Sequence, residues 1–135
     1  MFGVALAIVV AIVVLRPSVR RNAATLVEGK LRLAAAAAQA VIDSEGITAA
    51  TFDRLNEDPP AEMEFTSGDD ASGEPLVVSV AVTGGAWTGA ARADSGACYF
   101  IRLTEAGETL TGTISGSDCT GAAAARADAS GWPDL

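Results

Sequence analysis

Residues 1–15, MFGVALAIVVAIVVL, form an unbroken apolar run without a charged or hydrogen-bonding side chain. A helix made of such residues is not stable facing water, so the run must end up buried in lipid or in protein. At about 1.5 Å per residue it reaches only about 22 Å, short of the roughly 30 Å of hydrocarbon in a bilayer. No basic residue precedes it and no small-x-small cleavage site follows it, so it does not read as an ordinary secretory signal. The chain passes instead into Arg16-Pro17-Ser18, beyond which the pattern continues as helix. The candidate buried segment is therefore Met1, Phe2, Gly3, Val4, Ala5, Leu6, Ala7, Ile8, Val9, Val10, Ala11, Ile12, Val13, Val14 and Leu15. Pro17, which lacks an N–H and disfavours helix geometry at Arg16, marks an expected kink at its boundary.

From Val19 onward, Val19, Ala23, Leu26, Val27, Ala34, Ala38 and Val41 recur at helical spacing and predict one core-facing stripe, with Lys30, Arg32 and Gln39 elsewhere on the wheel. The alanines at 34–38 have the highest helix propensity available, and Gly46 supplies a stop after Asp43-Ser44-Glu45. The reading is one long helix over residues 1–45, with an apolar part (1–17), an amphipathic part (18–45) and a second weak point at Gly29.

The remaining residues, 46–135, read as a globular head. Residues 46–75 are expected to be mainly loop, with a short helix around Phe52 and Leu55 ended by Asp58-Pro59-Pro60. Four strand candidates follow at 76–82, 87–93, 98–104 and 109–115. In the first, Leu76, Val78, Val80 and Val82 share a face, and in the third Tyr99, Ile101 and Leu103 do. Thr83-Gly84-Gly85-Ala86, Asp94-Ser95-Gly96 and a loop containing Gly107 provide the turns. The fold class expected is α+β: a long N-terminal helix packed on a four-stranded antiparallel sheet, with a tail after Cys119.

Charge is distributed unevenly. Residues 1–32 carry five basic side chains (Arg16, Arg20, Arg21, Lys30, Arg32) and one acid, Glu28, whereas the rest carries sixteen acids against four arginines. An acidic head argues against nucleic acid as a partner. The two cysteines, Cys98 and Cys119, suit an oxidised pair in an exported domain, the alternative being two buried thiols in a cytosolic fold. With no histidine in the chain they do not make a zinc site. If bonded, they close a loop of 22 residues and tie the tail to the sheet.

An apolar helix reaching a proline, an Ala-rich amphipathic continuation, a variable loop, an antiparallel sheet and a C-terminal cysteine pair together resemble a type IV pilin. The segment CYFIRLTEAGETLTGTISGSDCTGAAA is similar to the disulfide-closed end of bacterial pilins. The resemblance implies a major pilin: a homo-oligomeric subunit of an extracellular helical filament used in adhesion or motility. Before assembly by the pilus machinery it would be held in the cytoplasmic membrane by residues 1–15. It also implies a glycine-ended basic leader and a few more mature residues before Met1, ending in glutamate, because the family's proline lies further from the mature first residue than Pro17 lies from Met1. A basic leader would reverse the orientation that Arg16, Arg20 and Arg21 alone would impose, which leaves the cysteines in the cytosol.

Other roles weighed are a pseudopilin or minor pilin of a type II secretion or DNA-uptake machine, and a non-polymerising membrane-tethered exported domain. An enzyme is not expected, since no nucleophile and base pair, phosphate-binding loop or metal-ligand spacing is present. No cofactor is expected either. Asp69-Asp70 reads as solvated loop rather than a calcium site, Gly84-Gly85 as a turn, and Trp87 and Trp132 as packing residues rather than ligand platforms.

Overall fold

The computed structural model describes residues 2–115 and 118–132, with side chains from residue 23 onward. One helix, α1, runs over Phe2–Glu45, 44 residues or about 66 Å. The calls on residues 1–15 and on a kink at Pro17 lie outside the described side chains. At its end the N–H of Gly46 donates to the carbonyl of Ile42 (2.9 Å), and Gly46 turns the chain at φ 94°. A 3-10 turn, Ile47–Ala49, and a short helix α2, Phe52–Leu55, follow, the latter capped by Thr51.

The sheet has five strands in sequence order: β1 (Glu64–Ser67), β2 (Val77–Thr83), β3 (Ala86–Arg92), β4 (Cys98–Thr104) and β5 (Thr109–Ile114). β2 to β5 form an antiparallel meander, whereas β1 pairs with β2 in parallel, so the sheet is mixed. This corrects the expectation of four antiparallel strands and of a loop across 46–75. β1 is polar and short, and its identity as a strand depends on partners distant in sequence. β2 holds one edge of it, and on the other the Asn56 side chain accepts from the Phe65 N–H (2.9 Å) and donates to the Phe65 carbonyl (2.7 Å). A last helix, α3 (Gly121–Ala125), lies in the tail and is capped by the Thr120 hydroxyl.

The β2–β3 connection is a two-residue hairpin, because Thr83 pairs with Ala86 across Gly84 and Gly85. Both glycines have positive φ (57° and 74°), the geometry whose twist matches that of the strands.

The sheet is covered on both faces. On one side α1 buries Ala24, Val27, Leu31, Ala34, Ala35, Ala38 and Val41 against Val78, Val80, Trp87, Tyr99, Ile101 and Leu103. The alanines let helix and sheet approach closely, and the Trp87 ring fills the space over Gly89. Leu26, expected on this inner stripe, is instead 45% exposed. Successive helical residues are about 100° apart, and with Val27 and Leu31 turned inward Leu26 faces out. On the opposite side Ala90, Cys98, Phe100, Cys119 and Ala124 form a second small core under α3. There a Cβ on Gly121 would stand 2.7 Å from the Ala81 nitrogen, so only glycine permits this contact.

Candidate assembly surface

The inner face of α1 is satisfied by its own head; the outer face is not. Among the described residues Leu26 and Leu33 are the large apolar ones left exposed, at 45% and 50%. Gly29, Ala36 and Ala40, also exposed, continue the same stripe. The positions 26, 29, 33, 36 and 40 alternate steps of three and four, the spacing of a seam that meets another helix. Within the single chain, this helix is apolar on two sides and covered on one.

Where α1 enters the head, its polar residues meet the sheet. Glu28 is half-buried, and its Oε1 is sealed from solvent without a hydrogen-bond partner among the described residues. Burial pushes its carboxyl above the usual range, and the nearby Arg32 pulls it partly back. Burial also raises the Tyr99 phenol, with the negative charge of Glu28 adding to the shift. One turn along, the Arg32 guanidinium lies 4.9 Å from the Trp132 ring centre. The Trp132 Nε1–H donates to the Phe100 carbonyl (3.1 Å), which pins the tail to the sheet.

Cys98 and Cys119 are joined in a disulfide, with Cα atoms 5.4 Å apart and both residues buried. Around it the tail is held by main-chain bonds from Ser72 N–H to the Cys119 carbonyl (2.7 Å) and from Ala122 N–H to the Gly68 carbonyl (3.0 Å). The Ser79 hydroxyl, buried in β2, accepts from the Gly121 N–H (2.8 Å) and donates to the Ser67 carbonyl (3.0 Å). Arg102 donates to the carbonyls of Ala124 and Ala127 at the C-terminal end of α3. Ser72 is a second hub that the sequence did not suggest: its buried hydroxyl accepts from the Arg92 N–H (3.0 Å) and donates to the Val77 carbonyl (2.6 Å).

The other sequence candidates fall into structural places. Trp87 is fully buried, and Asp69 and Asp70 are exposed beside β1. Among the described residues no three His, Cys, Asp or Glu side chains converge as a metal site would require. Among the residues with described side chains, which begin at residue 23 beyond the apolar run at 1–15, no helix is long and apolar enough to cross a membrane. Comparison with protein-family models, curated proteins and solved structures gives no match for this chain.

Proposed function

We propose that this chain is a structural subunit of an extracellular helical filament of the type IV pilin kind, held in the cytoplasmic membrane before the assembly machinery adds it to the filament. The observation that carries the reading is the two-sided apolar character of α1. Its inner stripe is occupied by the sheet, and its outer stripe, with Leu26 and Leu33, has no partner among the described residues. The described core residues of α1 begin at Ala24, so the packed part of this 44-residue helix lies in its C-terminal half. The apolar run that precedes it has the composition of a segment exchanged between lipid and a protein core. Such an exchange gains little hydrophobic free energy, so association depends on close packing at small residues such as Gly3, Ala5, Ala7 and Ala11. The disulfide and the double-sided sheet suit a head exposed outside the cell.

Negative-stain microscopy of material sheared from the cell surface, with peptide mass identification of this chain in it, tests the proposal. Filaments containing the chain are expected, and Ala7→Arg or Val10→Asp is expected to abolish them without unfolding the head. An intact, membrane-bound chain with no filament in any condition would overturn the reading in favour of a tethered domain.

A further inference from the structure

Beside the point where α1 meets the head lies an open groove of about 380 Å³. Its apolar floor is Leu26, Pro75 and Leu76, and its rim carries Glu62, Glu74 and Asp94, with Lys30 on the helix side. The three acids are exposed, and none is in an ion pair among the described residues. The Glu62 carboxylate comes to this rim through a turn closed by the Met63 N–H on the Pro60 carbonyl (3.0 Å), which sends Met63 into the core and Glu62 outward. An apolar floor under an acidic rim fits a segment that carries arginines beside an apolar residue on one helix face.

The chain contains one such segment, Arg16-Pro17-Ser18-Val19-Arg20-Arg21. In the sequence its arginines have no acid three or four positions away, the spacing at which a helix pairs opposite charges. Sixteen of the seventeen acids lie beyond residue 32, so a copy offset along the helix axis would bring its basic collar to another's acidic head.

We propose that the groove receives residues 16–21 of a second copy through the helix face that carries Arg16, Val19 and Arg20, the arginines meeting Glu62, Glu74 and Asp94 and Val19 the apolar floor. The choice of a second copy as occupant rests on the assembly reading. The groove would supply register: the apolar stripe of α1 resembles itself when slid along the axis, whereas a charged socket accepts the collar in one position.

Two measurements test this. In the first, full-length chain carrying Arg20→Lys together with Lys30→Arg, which removes the amine native to the groove, is prepared as a mixture of nitrogen-14 and nitrogen-15 copies and treated with a carbodiimide, which joins an amine to a carboxylate only when they touch. Cross-links between differently labelled copies at Glu62, Glu74 or Asp94 are expected; links confined to one copy, or to other carboxylates, would overturn the proposal. In the second, a synthetic peptide of residues 16–22 is titrated into the full chain in detergent micelles. Saturable binding is expected, weakened about tenfold by Glu62→Lys with Glu74→Lys and similarly by high salt. Equal binding to both chains, or binding to anionic vesicles but not to the chain, would overturn the groove. The titration decides this whether or not filaments form, so it separates failure of the groove from failure of the filament reading.

Discussion

Replacing Leu33 by glutamate separates what α1 does for its own head from what it does for a neighbour. Leu33 is 50% exposed in the single chain and Leu26 45%. Full burial of a leucine is worth about 1.5–3 kcal/mol, so covering the exposed half of each contributes about 1 kcal/mol, or about 2 kcal/mol for the pair. Leu33→Glu forfeits its share and asks a carboxylate to leave water, so the combined cost to association is about 3 kcal/mol or more. That corresponds to a loss of over about a hundredfold in the equilibrium for adding a subunit. The isolated chain should respond less, because only the covered half of Leu33 is at stake there, about 1 kcal/mol. Leu31→Ala provides the contrast: Leu31 is fully buried on the inner stripe, and truncation there costs about 2–5 kcal/mol of fold stability. The assays are filament yield in the sheared fraction and thermal melting of the full chain in detergent micelles. Leu33→Glu filaments at normal yield would refute the reasoning. So would a Leu33→Glu chain that melts as early as Leu31→Ala, since the outer stripe would then be supporting the head.

Three further outcomes are expected. Cys119→Ser, or reduction of the native chain, should lower stability by about 3 kcal/mol and open the tail to proteases, read as a melting shift and a new cleavage pattern. Glu28 has a carboxyl raised by burial, so its ionised form is disfavoured in the fold. The contribution of Glu28 to stability is therefore present below the ordinary carboxylate range and lost as pH climbs through the raised value, and Glu28→Gln should remove this part of the dependence of melting on pH. Gly121→Val should destabilise the tail by about 1–3 kcal/mol, because its Cβ would meet the β2 main chain at 2.7–2.9 Å; amide exchange at Ala122 and Ala123 should speed up.

The parts of the fold legible in the sequence are those specified by neighbours in the chain. The meander could be read because each hairpin carries its own turn residues, Gly84-Gly85 foremost, beside alternating apolar strands. β1 could not, because Glu64-Phe65-Thr66-Ser67 becomes a strand only through β2 and the Asn56 side chain. The second covered face was missed for a different reason. Ser79, Ala81, Thr88 and Ala90 resemble the solvent-facing half of an amphipathic strand, yet they are buried because small side chains let α3 rest on the sheet. The stripe on α1 was displaced by one residue at Leu26: leucine in an Ala-rich helix reads as core, and which of two adjacent apolar residues turns inward is settled by the sheet beneath. The cysteine pair was visible as a pair, but its setting among Phe100, Ala90 and Ala124 was not.

The treatment of the sheet borders bears on how such a chain survives crowding. An open strand border invites another chain to add a strand, and subunits held at high density along a fibre would meet that hazard constantly. Here β1 is only four residues long and has its Phe65 amide and carbonyl occupied by Asn56. At the far border the Thr111 carbonyl is taken by the Gly131 N–H (2.7 Å). With both flanks blunted in this way, sticking by strand exchange is discouraged, and in the proposed filament the helices would be left as the route by which copies join. Asn56 thus acts as a safeguard against disordered aggregation, in addition to its part in holding β1.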